Sequence, residues 1–106
     1  MNRGDVCWYT TKAPDKKRPV LILTRESAIS VLNSVTIAPI TSAIRSIPTE
    51  ILSTEYDGVP HVSAANFDNL QTVPKGNIGE RITRLTSQRM KEAAAAISFA
   101  LGFDDE

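Results

Sequence analysis

The chain has 106 residues, twelve Lys/Arg against twelve Asp/Glu, one histidine and one cysteine. That length holds one domain with one modest core, so residues 1–106 read as a single unit. Balanced charge excludes a uniformly basic nucleic-acid binder and leaves only a local patch for such contacts, while a lone cysteine excludes an internal disulfide and a cysteine-rich metal site.

The charge is unevenly spread. Asp104, Asp105 and Glu106 form an acidic tail, and the rest of the chain sets twelve cations against nine carboxylates, a net +3. Lys12, Lys16, Lys17 and Arg18 cluster with only Asp15 opposing them. Free-thiol usage suits a reducing cytosol. No apolar run approaches the ~20 residues of a membrane helix and no charged-then-apolar leader is seen, so neither a span nor a signal peptide is expected.

In chain order, Val6–Thr10 reads as a strand with Val6, Trp8 and Thr10 on one face and Cys7 and Tyr9 on the other. Large residues on both sides suggest burial on both, as in a small barrel. The preceding Arg3-Gly4-Asp5 spells an adhesion tripeptide, but three residues match by chance and nothing else looks secreted. Thr11–Lys17 is a polar loop with a turn at Pro14-Asp15. Its composition fits a mobile basic arm beside Arg18 and fits an ordinary solvated hairpin loop equally well.

Pro19–Thr24 is the second strand, with Pro19 expected at its start because it cannot donate a ladder hydrogen bond. Arg25–Asn33 reads as one helical turn or an irregular loop, Ile29 and Leu32 tucking inward. In Val35–Ile40, Pro39 argues for an edge position or a bulge that re-aims Thr41. Ser42–Pro48 is a loop carrying Arg45. Thr49–Leu52, His61–Phe67, Leu70–Val73 and Ile78–Leu85 complete the strands, the last with Ile78 and Ile82 on one face. A helix follows from Ser87 to Leu101, with Thr86 as N-cap, a Leu85/Met90 staple and Gly102 as its stop. Met90, Ala93, Ala94, Ile97, Ala100 and Leu101 are its apolar stripe. The pattern is mainly β with a C-terminal α-helix.

The chemistry concentrates at two strand ends. Arg18 opens the run Pro19–Thr24 and Thr41 closes Val35–Ile40. Side by side at one rim of a sheet, a guanidinium fork and a neutral hydroxyl make a pair suited to phosphate. The same residues also fit a solvated edge arginine and a strand-capping threonine. One Cys, one His and scattered carboxylates give no metal-ligand spacing, and no phosphate-binding glycine loop is present. No metal site and no cofactor are therefore expected. His61 follows Val59-Pro60 with no partner in sequence and is expected to be dispensable, its loss changing a rate by less than about tenfold.

Four stretches carry a resemblance: Arg3–Trp8, Lys17–Leu23 (KRPVLIL), Thr36–Thr41 (TIAPIT) and Gly79–Thr86 (GERITRLT). In order and at about these spacings, they resemble the MazF/PemK family of toxin endoribonucleases, over nearly the whole chain. The resemblance implies a small SH3-like β-barrel with the helix packed on it, a homodimer and a cognate MazE-like antitoxin. It implies a cytoplasmic, sequence-specific, metal-independent endoribonuclease that cuts single-stranded RNA (mRNA, with rRNA or tRNA as further targets) and so inhibits translation and growth. It casts Arg18 and Thr41 as the catalytic pair, with Lys16, Lys17, Ser42, Asn69 and Gln71 as RNA contacts. Asn69 stands where the family often has Gln, and Gln71 where it usually has Arg. The Thr11–Lys17 loop, near the RNA and antitoxin sites in the family, is short and lacks a glycine-rich stretch. Two alternatives share the fold: a CcdB-like toxin that inhibits gyrase without catalysis, and an inactive dimeric interaction module.

Overall fold

The computed structural model describes residues 1–10 and 16–104. The expected turn at Pro14-Asp15, the basic residue Lys12 and the last two residues of the acidic tail lie outside them.

Among the described residues, seven strands and two α-helices are observed: β1 (Asp5–Thr10), β2 (Lys17–Ile22), α1 (Glu26–Ile29), β3 (Ser34–Thr41), β4 (Glu50–Ser53), β5 (Ser63–Asn66), β6 (Gln71–Pro74), β7 (Ile78–Arg84) and α2 (Ser87–Leu101). All strand pairs are antiparallel, in the order β4-β5-β3-β2-β1-β7, with β6 also on β3. The expected mainly β fold with a C-terminal helix is thus observed. The sheet ends on β4 and β7 rather than closing, but it curls until the turn after β4 meets β7. Thr83 Oγ1 donates to the Asp57 carbonyl at 3.0 Å, and Arg89 of α2 grips the Asp57 carboxylate with two hydrogen bonds of 2.9 Å. Gly58 in that turn has φ +91°, and a Cβ there would run into the Thr83 side chain. Glycine is required at this junction both by conformation and by space.

Side-chain alternation sorts the core into two. Val6, Leu21, Ala38, Ile40 and Ala65 face one way and pack with Phe67, Leu85 and the small residues Ala93 and Ala96 of α2. Cys7, Val20, Ile22, Val35, Ile37 and Val73 face the other way, where Ile29 of α1 joins them. Burial pushes the Cys7 thiol up, with the Asp5 carboxylate adding to the effect, so it behaves as a small buried apolar group. The helix stripe runs through Ala93 and Ala96, flanked by Met90, Ile97 and Ala100; Ala94 and Leu101 are exposed, unlike the stripe expected from spacing. Leu85 and Met90 share the core as the staple requires, and Thr86 caps the helix by accepting from the Arg89 N–H at 3.2 Å.

Three local expectations are corrected. Pro19 lies inside β2, paired with Trp8, rather than at its start. Pro39 sits in a central strand, neither at an edge nor in a bulge, because β3 changes partners there. β6 pairs with it up to Ile37 and β5 takes over from Ile40. On the β2 side, the Leu23 N–H donates to Thr36. In antiparallel alternation this makes Val20–Pro39 a non-hydrogen-bonded pair, so Pro39's missing N–H points into the gap between β6 and β5. Finally, Ile78 and Ile82 pack against opposite cores, since two register shifts between β1 and β7 break the simple alternation.

The adhesion tripeptide has no accessible carboxylate. Asp5 is buried, accepting from the Asn2 N–H and from Arg84 Nε, each at 2.8 Å.

Candidate functional site

β2 and β3 position the two residues expected to act on phosphate. Their register pairs Val20 with Pro39. Continued two residues, it sets Arg18 opposite Thr41 in a non-hydrogen-bonded pair, the kind in which facing side chains come closest. Both belong to the sheet face that carries the second core, away from α2. Tyr9 of β1 is paired with Arg18, and Gln71 of β6 with Ile37, on that same face. The rim of this face is therefore built from four strands and collects Tyr9, Arg18, Thr41 and Gln71.

Two cavities open there. One of about 390 Å³ is lined by Arg18, Thr41, Arg45, Asn66, Asn69 and Gln71 with the Pro39–Ile40 segment. A smaller one of about 190 Å³ lies between Tyr9, Arg18 and Gln71 over Val20, Ile37 and Pro39. No carboxylate lines either cavity. Among the described residues Arg18 makes no ion pair, and its guanidinium is exposed. Thr41 Oγ1 accepts from the Ala43 N–H at 3.1 Å, which fixes the oxygen and leaves its hydrogen free to donate outward. Cation and hydroxyl thus line one cavity, an arrangement suited to an anion such as phosphate.

The structure adds two residues that sequence reasoning missed as site members, Arg45 and Asn66. Arg45 sits in the loop after Thr41, held by Glu50 through its own N–H (3.0 Å) and its Nε (2.9 Å). Its next neighbour Ser46 has φ 54°, and among the described residues it is the one non-glycine in the left-handed region. Glu50 is paired with Asn66, so one strand pair sets both new members. The Asn66 side chain accepts from Asp68 N–H at 2.9 Å, and Thr49 Oγ1 donates to Asp68 at 2.6 Å. These bonds, with buried Phe67 as anchor, hold the turn that presents Asn69. The only sequence signal for Arg45 was its nearness to Thr41.

Alternation sends the chain neighbours of Arg18 and Thr41 toward the opposite face. Lys17 and Ser42 line a third cavity, of about 420 Å³, with Trp8, Pro19, Ile40 and His61, and Arg18 and Thr41 reach its edge as well. His61 therefore lies near the pair, though in sequence it had no visible partner. Lys16 is exposed and stands outside all three cavities. Among the described residues no cluster of three His, Cys, Asp or Glu could hold a metal ion, and no helix is long and apolar enough to cross a membrane.

A curled antiparallel sheet backed by one C-terminal helix, with an arginine and a threonine facing each other at its rim, defines a small toxin-like β fold. The chain belongs to the PemK-like, MazF-like toxin family of type II toxin-antitoxin systems, which it matches over residues 2–101. It is 40% identical over 90 residues to "Endoribonuclease MazF3" of Mycobacterium tuberculosis, covering 85% of this chain and 87% of that one. Among solved structures it resembles "Mycobacterium tuberculosis toxin MazF-mt6", with a TM-score of 0.84 and 36% identity over 92% of this chain and 96% of that chain. It also shares the fold of "Endoribonuclease in complex with its cognate antitoxin from Mycobacterial species", with a TM-score of 0.86 and 24% identity over 96% and 95% of the two chains.

Proposed function

We infer that this chain is the toxin of a type II toxin-antitoxin pair and cuts single-stranded RNA, with Arg18 and Thr41 acting on the scissile phosphate. The observation that carries this reading is their cross-strand placement at a rim free of carboxylates. RNA supplies its own nucleophile, the 2′-hydroxyl, so the protein need only align it, stabilise charge on the phosphoryl oxygens and allow protons to move. Arg18 supplies the charge and stays protonated at neutral pH, which makes it a clamp and not a base. Thr41 donates one oriented hydrogen bond. Asn69, Gln71, Arg45 and Asn66 offer hydrogen-bonding groups to the bases or phosphates beside it. The toxin works in the cytoplasm as a homodimer and is held inactive by an acidic, apolar antitoxin segment attracted to the basic residues Lys16, Lys17 and Arg18.

The test is direct. Purified protein is incubated with a long defined RNA in EDTA and the new ends are mapped. Cutting at a short recurring sequence, suppressed when the target is duplexed, is the expected result. Loss in EDTA with recovery on adding a divalent ion would overturn the metal-independent chemistry. No cutting at all would return the field to the gyrase-inhibiting or inactive readings.

A further inference from the structure

α2 leaves part of the first core uncovered. It packs over β4 and the turn after β5. On its other flank two further cavities, of about 640 and 460 Å³, share Arg3, Leu23 and Ile97 and so form one groove between helix and sheet. The short side chain of exposed Ala94 keeps that flank of the helix low. Leu23, Leu70, Met90 and Ile97 floor the groove, and Arg3, Arg25 and Lys91 stand exposed at its rim. No carboxylate lines it. Arg84 nearby is already held by Asp5, and Glu26 bonds only the main-chain N–H of Arg3, at 2.9 Å. Among the described residues none of the three rim cations makes an ion pair.

An apolar floor under unpaired cations fits a short segment with an apolar head and an acidic tail. The chain carries one: Phe103 is followed by Asp104, Asp105 and Glu106, its only run of consecutive carboxylates. Gly102, at φ +78°, turns the chain out of α2, and Phe103 and Asp104 emerge exposed, neither of them lining the groove of their own chain. We propose that in the homodimer residues 103–106 of each copy lie in this groove of the other. The Phe103 ring sits on Leu23, Leu70 and Ile97, and the carboxylates run toward Arg3, Arg25 and Lys91. The proposal rests on the homodimer reading above. The lengths agree, since three extended residues span about 10 Å and the six residues from Ile97 back to Lys91 rise about 9 Å along the helix. A two-fold pair makes every contact twice, so one tail in one groove entails the reciprocal one. The exchange lies on the α2 face and leaves the cavities of Arg18 and Thr41 open.

Two measurements on the full chain test it. A carbodiimide joins a carboxylate directly to an amine, and on the wild-type dimer it should couple the acidic tail to Lys91. In a mixture of chains labelled with light and heavy nitrogen, the coupled peptides should include mixed-label pairs. Single-label pairs alone would put the tail in its own groove and overturn the proposal, as would no coupling at Lys91. In sedimentation equilibrium, neutralising the tail (Asp104→Asn, Asp105→Asn and Glu106→Gln together) should weaken the dimer at least about tenfold and remove most of its salt dependence. Reversing the tail (Asp104→Lys with Asp105→Lys) or the rim (Arg25→Glu with Lys91→Glu) should weaken each homodimer further. Mixing those two variants should restore a dimer, because each groove then meets a tail of opposite charge. Tail variants that dimerise like the wild type at every salt concentration would overturn the proposal. So would a rim variant that loses antitoxin binding but keeps its dimer, which would give the groove to the antitoxin. A wild-type protein of single-chain mass at every concentration fails earlier and overturns the homodimer reading itself.

Discussion

At the scale of single residues, the proposed mechanism places most of its energetic weight on Arg18. Losing one preorganised donor to developing charge costs about 2.7–4 kcal/mol, so Arg18→Ala should slow single-turnover cleavage a hundredfold or more. Arg18→Lys should recover part of this, because an ammonium cannot make the planar two-point contact. Thr41→Ala should cost less and Thr41→Ser should retain most of the rate, since Ser keeps the oxygen that accepts from Ala43. If both act on one phosphate, the double variant should lose less than the two single losses combined. Both are rim residues outside the two cores, so thermal unfolding should barely change. A near-wild-type rate in either Ala variant would remove that residue from the mechanism. That Arg18 and Thr41 would meet at one rim was legible because strand ends mark both. The places of Arg45, Asn66 and Trp8 in the cavity walls were not, because each depends on how the strands pair. Trp8 was placed on a strand face by alternation, but no pattern along one chain says that Pro19 and the turn before β5 will wall it in.

At the scale of elements, α2 is tied to the sheet by one part-buried charge cluster. Arg89 holds Asp57 by two bonds and reaches Glu92 at 2.7 Å. The Arg89 hydrogen bonds hold the Asp57 carboxyl below its ordinary value, and the Thr54 N–H adds to this against the opposing effect of burial. A carboxylate with a lowered folded pKa contributes stability that is present above its unfolded value of 3.8 and is lost as pH falls through the folded one. Asp57→Asn should therefore cost about 1–2 kcal/mol near neutral pH and flatten the fall in stability below pH ~4. Urea titrations at both ends of that window would measure it, and an unchanged slope would place the acid sensitivity elsewhere. In the next residue, Gly58→Ala adds a methyl at φ +91° against the Thr83 Oγ1 and Cβ and should cost about 1–3 kcal/mol. A neutral Gly58→Ala would mean that this turn moves freely from β7. The helix itself was readable from its cap, staple and stop. The strands were readable in kind, but Pro39 misled because a proline is tolerated in a central strand where two partners hand over. Ile78 and Ile82 misled because bulges reset the two-residue period.

At the scale of the molecule, the two cores divide a 106-residue chain between them, and the second is roofed on one side by only the four residues of α1. Domains of this size bury a modest fraction of their surface and stand close to the stability threshold. Large apolar side chains remain outside: Phe99, Leu101 and Phe103 around the end of α2, and Val31 and Leu32 after α1, with Phe103 at 73% and Val31 at 75% exposure. Grouped apolar exposure of this kind marks association surfaces, and it agrees with the homodimer proposed above. Association that stabilises the fold has a signature that a preformed stable monomer lacks, because mass action makes the melting temperature rise with protein concentration. Light scattering should give twice the chain mass, and the melting temperature should climb between roughly 1 and 100 µM. Phe103→Asp and Val31→Asp separate the two exposed groups: the one that forms the interface should bring the mass to that of one chain and remove the concentration dependence. A single-chain mass with a constant melting temperature would show that the two thin cores suffice and that the exposed apolar groups serve another partner.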